Sequence, residues 1–387
     1  MRTMHSIQCA VCLLLFALTA LQLNAEVRFT GANARQDERR FRRALALISR
    51  ADPGNRVLAI EEMEEIVHLK FVPGYDYFGS LEIFPDGNPP EIILKSPERR
   101  HNRREVATTL AHEGRHFLNN TIFPFGISED MFPPGISLIL QAINEGSAFY
   151  NGIKVAERSL RYIFMRAPDK KPFLSYVSPE LAHYVGLHYI TQRGIQLKKW
   201  MRNQNEYRTL SDTNFEEEFK KEFFKLYLEC VAYPTQALDI PQYNENPLLI
   251  GGQVPDIVEI PSWANPEFAY LREKDTRNLL ITRALEVCFG DIGITPEEID
   301  EIFNETLARI DAYRKSQNLP TIAQIEYIYY EYALNANNPQ WLEERGLSQV
   351  IIASPYLDNS QELIEAVLNG MPLSRASGFA ANALFGR

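Results

Sequence analysis

The stretch Thr108-Thr-Leu-Ala-His-Glu-Gly-Arg-His-Phe117 decides how the rest of the chain reads. Within it His112, Glu113 and His116 spell H-E-x-x-H. On a helix, positions four apart stand one above the other, so both imidazoles can reach one metal ion. Glu113 lies about 100° round the helix from His112, beside the ion's open position, where a bound water needs a base. Zinc suits such donors, because it prefers four ligands drawn from imidazole, thiolate and carboxylate. The surroundings read as helix, with Val106, Leu110, Glu113 and Phe117 recurring at three-to-four spacing. Gly114 inside that helix costs up to about 1 kcal/mol against alanine, which predicts a neighbour packed close to it. The pattern predicts a zinc-dependent hydrolase, a peptidase first; two unremarkable histidines on a solvent-facing helix are the alternative.

Downstream, Asn119-Asn120 predicts the helix end, and Thr121 to Pro134 reads as irregular. A second helix opens near Pro134 and runs past Val155. Glu145 interrupts its apolar run, and a buried carboxylate needs a partner that a metal would supply. Gly146, Ser147 and Ala148 beside it allow another helix to approach closely. The 28 residues between His116 and Glu145 suffice for a loop and half a helix to return Glu145 to the motif. Glu129 and Asp130 are further candidate ligands. His183, His188, Tyr184 and Tyr150 are candidate donors to an oxyanion.

Upstream, residues 34–50 predict an amphipathic helix whose arginines at 39, 40, 42 and 43 form a solvated face. Residues 56–68 read equally as strand or helix. Leu81–Phe84 and Glu91–Lys95 predict two short strands around a Pro- and Gly-rich connector.

This order, strands and then an H-E-x-x-H helix, resembles the zincin metallopeptidases. The run Glu145-Gly-Ser-Ala148 resembles the Glu-x-x-Ala pattern of the gluzincins, whose third ligand is a glutamate. The likeness is to uncharacterised bacterial metallopeptidases and spans roughly residues 80–160. It implies His112, His116 and Glu145 as zinc ligands and Glu113 as the residue that activates water. It also implies a small sheet over the active-site helix, with an edge strand that takes an extended peptide substrate as one more strand; Glu91–Lys95 is the candidate by position. Two departures stand out: the gap to Glu145 is long, and Phe149 occupies a place where some members carry an acid. A metzincin is excluded, because Asn119 and Ile122 stand where its glycine and third histidine would be.

The address is read from the N-terminus. Arg2 and His5 precede an apolar run from Ala10 to Leu23, with Ala25 as the small residue at a cut. Residues 1–25 are therefore expected to be a signal peptide and the protein to be exported, periplasmic or extracellular, with no stable membrane insertion after cleavage. The formal charge is −10, which disfavours nucleic acid, whose backbone requires a basic footprint. Of the four cysteines, Cys9 and Cys12 leave with the leader; Cys230 and Cys288 are either one disulfide or two buried thiols.

The expected class is α+β and predominantly helical: a zincin-like core over 26–232, a Pro-rich connector over 233–266 and a helical region over 267–387. Helices are predicted over 267–290, 295–316 and 321–335, the second with Thr295 as N-cap, Pro296 at N1 and Glu298 at N3. Tyr327, Tyr329, Tyr330 and Tyr332 read as core packing. Two rival functions stand beside the peptidase: an inactive zincin-fold binding or structural protein, and a zinc amidase acting on cell-wall peptide.

Overall fold

The structure is a computed structural model that describes residues 27–62, 66–73, 79–83, 88–96, 103–159, 190, 193–228, 247–250, 255–352 and 364–369. The class is α+β and mostly helical, with a small mixed sheet. The expected signal peptide, Cys230, His183, Tyr184 and His188 lie outside the described residues, as do the side chains of Glu129 and Asp130. No helix among the described residues is long and apolar enough to cross a membrane.

The chain enters through strand β1 (Val27–Phe29) and crosses over by helix α1 (Ala34–Ala51) to strand β2 (Val67–Val72), which pairs parallel to β1. A parallel pair cannot be joined by a tight turn, and α1 supplies the crossover. Asp37, Phe41, Ala44 and Ile48 form its buried stripe. Arg39, Arg42 and Arg43 are exposed as expected. Arg40 instead turns inward, bonding Asp37 and Ser96, each at 3.2 Å, above the Phe71 ring. The ambiguous stretch resolves into a 3-10 segment, Arg56–Glu62, followed by β2.

Two strands stand where they were expected, β3 (Gly79–Glu82, beginning two residues before Leu81) and β4 (Glu91–Lys95); they pair antiparallel, and the sheet order is β1-β2-β4-β3. This corrects the edge-strand expectation for Glu91–Lys95. That strand is interior, parallel to β2 on one side and antiparallel to β3 on the other. Its physical signature is the run Ile92-Ile93-Leu94, buried throughout, as a strand covered on both faces requires. Among the described residues the outermost strand on this side is β3, half-exposed along its length.

Helix α2 (Arg103–Asn120) carries the motif and packs on the sheet beside α1, sharing a core with Phe41, Ile48, Leu69 and Leu94. Gly114 lets it seat on the 3-10 segment: a Cβ there would stand 2.8 Å from a Val57 methyl. Helix α3 (Pro134–Ser159) follows and lies along α2.

Behind α3, helix α4 (Asp212–Tyr227) packs Phe219, Phe223 and Phe224 into a core shared with helices α5 (Lys274–Phe289) and α6 (Pro296–Ser316). A 3-10 segment, Pro266–Arg272, precedes α5, so the helix expected from 267 is interrupted at Glu273. Thr295 caps α6 with Pro296 and Glu298 as the sequence indicates, and helix α7 (Ile322–Leu334) has the same capping box from Thr321 and Gln324.

The described part of the Pro-rich stretch is built into the fold. Strand β5 (Ile257–Ile260) pairs parallel with strand β6 (Gln349–Ile352), and Trp263 is buried against Tyr329. The tyrosine cluster divides. Tyr329 is core, Tyr327 is 68 % exposed, Tyr330 lies under the Arg272 guanidinium and Tyr332 meets Trp341.

Candidate metal centre

The helical phase of α2 carries out the first step of assembly. Positions 112 and 116 fall on one face, and their Nε2 atoms stand 3.2 Å apart with the rings edge to face. Both residues are buried, as is Glu113 between them. One ligand atom from each of His112, Glu113 and His116 lies within 4.8 Å of the others.

The second step is tertiary. Helix α3 runs along α2 and delivers Glu145, with one carboxylate oxygen 3.2 Å from His116 Nε2 and the other 3.5 Å from His112 Nε2. Donors placed at 2.0–2.1 Å from a tetrahedral ion stand about 3.3–3.4 Å apart. The spacing of the two imidazoles and the carboxylate therefore fits such an ion without rearrangement of the helices. Glu145 keeps 42 % of its side-chain surface accessible, so it is not the fully buried acid the apolar run suggested. Solvent reaches the cluster from its side.

Electrostatics support the same grouping. Burial alone would push the His116 imidazole down, but Glu145, with Glu113 and Asn144 behind it, lifts it to about 9. Burial would raise the Glu145 carboxyl, and the two histidines instead hold it well below the usual carboxylate range. His112 Nδ1 and His116 Nδ1 are both buried with no hydrogen-bond partner among the described residues. The Phe149 ring covers His112 with centroids 4.6 Å apart, so an apolar wall stands where an acid was considered.

Strand β3 crosses directly over the motif. A Cβ on Gly79 would lie 2.6 Å from Thr109 Cγ2 and 3.1 Å from a Glu113 carboxylate oxygen. The glycine is what allows backbone and carboxylate to share that space.

The candidate oxyanion donor Tyr150 is not at the cluster. Its hydroxyl donates to Glu216, which Lys154 and Lys198 also hold, and its ring packs among Phe219, Phe223 and Phe289. Cys288 is a free, buried thiol.

Several polar neighbours escape a reading of the sequence. Asn119 reads there as a helix end; here it joins Asn144 and Ser147, each at 2.8 Å. Asn120 bonds the His116 carbonyl and Gly126 N, tying the end of α2 to the following loop. Asn151 of α3 donates to the Ala111 carbonyl at 2.6 Å. Arg115, inside the motif, donates to the Val287 and Cys288 carbonyls at the end of α5, at 3.0 and 2.6 Å. Only the placement of asparagines next to His116 and Glu145 could have signalled any of this. Compared with known protein families, curated proteins and solved structures, the chain matches none.

Proposed function

We propose that this chain is an exported zinc-dependent metallopeptidase of the zincin kind, in which His112, His116 and Glu145 hold the metal and Glu113 is the general base. The observation that carries the reading is the triangle of two imidazole nitrogens and one carboxylate from the next helix, at 3.2–3.5 Å. Two carboxylates compete for the ligand role. Glu145 contacts both imidazoles, whereas Glu113 projects from the motif helix towards β3. That division supports Glu145 as the metal ligand and Glu113 as the base.

A bound zinc ion would polarise a substrate carbonyl and lower the pKa of a water towards 7. Glu113 takes the proton from the attacking water and passes it to the leaving amine, assistance worth about 10²–10⁴-fold. The neighbouring β3 offers an outer edge on which an extended peptide can lie as a further strand. Phe149 makes one wall of the site apolar. Export rests on the N-terminal pattern of Arg2, the apolar run and Ala25.

The test is cleavage of a generic peptide library by the mature protein, abolished by a chelator and restored by zinc. Glu113→Gln is expected to keep its zinc and lose at least about 10²-fold in turnover. Full activity in that variant would remove Glu113 from the mechanism, and chelator-resistant cleavage would remove the metal. Zinc binding with no cleavage of any peptide would favour the inactive binding protein.

A further inference from the structure

We propose that Asn119 is a positioning residue that clamps the Glu145 turn of α3 to the motif helix, and that zinc affinity depends on this clamp. The proposal rests on the metal-centre reading, because it concerns how the third ligand is presented.

Asn119 stands three residues beyond His116 on α2. Its amide donates to Asn144 Oδ1 and to Ser147 Oγ, both at 2.8 Å. Those two acceptors flank Glu145, one position before it and two after. Ser147 donates its own hydroxyl hydrogen to the Asn144 carbonyl at 2.9 Å, which leaves an oxygen lone pair for Asn119. Asn119 and Ser147 are each 1 % exposed, so water does not compete for these bonds. The arrangement also sets the amide's orientation. Flipping it would bring the Asn119 oxygen against Asn144 Oδ1, acceptor to acceptor.

Further along this contact Asn151 of α3 also donates to the Ala111 carbonyl at 2.6 Å and Gly152 meets Thr108. The Asn119 bonds are the ones that bracket Glu145. Paired hydrogen bonds on either side of Glu145 fix the turn that carries it, and a metal site requires its ligands within about 0.5 Å of the productive geometry.

The test is zinc affinity of the mature full-length chain, read by competition with a chromophoric chelator. Asn119→Asp keeps the size and removes both donated hydrogens; Ser147→Ala removes one acceptor and is the milder change. Loss of a residue that orients a metal ligand typically weakens binding about 10–100-fold. That loss is expected for Asn119→Asp, with a smaller one for Ser147→Ala. A cycle with Glu145→Ala separates positioning from general damage. If Asn119 acts through Glu145, adding Asn119→Asp to Glu145→Ala costs little more. The visible spectrum of the cobalt-loaded Asn119→Asp protein should likewise move towards that of Glu145→Ala.

Unchanged affinity in both Asn119→Asp and Ser147→Ala, or losses that add fully to Glu145→Ala, would overturn the clamp. Unchanged affinity in Glu145→Ala would instead overturn the ligand assignment and the clamp with it. None of these measurements requires turnover, so a protein that cleaves nothing still decides the question.

Discussion

At His116 a proton would compete with the proposed metal for one nitrogen. Glu145 holds that proton in the metal-free protein, lifting the imidazole to about 9 despite its burial. The sign follows from linkage. Below about 9 the proton must leave before a metal binds, so apparent zinc affinity should rise about tenfold per pH unit towards that point and level off above it. Without metal, the raised His116 value stabilises the fold fully below the unfolded histidine value of about 6.5 and this contribution is lost as pH rises through about 9, whereas the share from the depressed Glu145 carboxyl is lost as pH falls below the usual carboxylate range. Chelator competition across that range checks the first statement; a flat profile contradicts it. At this scale the sequence was most legible where partners are local. The His112–His116 pair follows from helical phase alone, and Glu145 was visible as an acid within an apolar run. Asn119 was not, because an asparagine at a helix end reads equally well as a cap. Tyr150 misled for a related reason: its partner Glu216 lies 66 positions away and pulls the hydroxyl away from the motif.

Among the elements, β3 and not β4 is the outermost described strand on this side of the sheet. Both were legible as strands, but Glu91–Lys95 lacks the alternation of a half-exposed edge and sits inside the sheet. The strand that passes Glu113 is β3, and its fit depends on Gly79. Gly79→Ala should displace the Glu113 carboxylate by a fraction of an ångström to about 1 Å, which can cost about 10²-fold in turnover. Zinc affinity should be unchanged, and a variant with wild-type kcat would show that Glu113 is placed by other contacts. Gly114 was legible as a close-packing position, although nothing local named Val57 as its neighbour. Gly114→Ala gains up to about 1 kcal/mol of helix propensity but overpacks against Val57, which typically costs about 1–3 kcal/mol. A lower Tm is expected, recovered by adding Val57→Ala; a Tm that rises in the single variant would contradict this packing.

Across the whole molecule, the chain beyond residue 266 is joined to the motif through Arg115. Its guanidinium is buried and is held by the final carbonyls of α5, where the helix dipole favours a cation. Burial lowers its pKa only to about 10, so the charge remains. A fragment of residues 26–266 would leave that cation and the apolar side of α3 facing water, and the exposed apolar surface is what costs stability. It should show neither a cooperative unfolding transition nor zinc binding, and a fragment that binds zinc like the full chain would make the later helices dispensable. The helices here were legible from their caps, as at Thr295 and Pro296. The β5–β6 pair was not, because each strand has four residues and its partner lies about 90 positions away, so no local pattern links them. The most direct measurement is a zinc-edge anomalous difference map from crystals grown with zinc. It should show one strong peak about 2.0–2.2 Å from His112 Nε2, His116 Nε2 and a Glu145 oxygen. A map with no peak between those three side chains, in crystals that bind zinc elsewhere or not at all, would contradict the account.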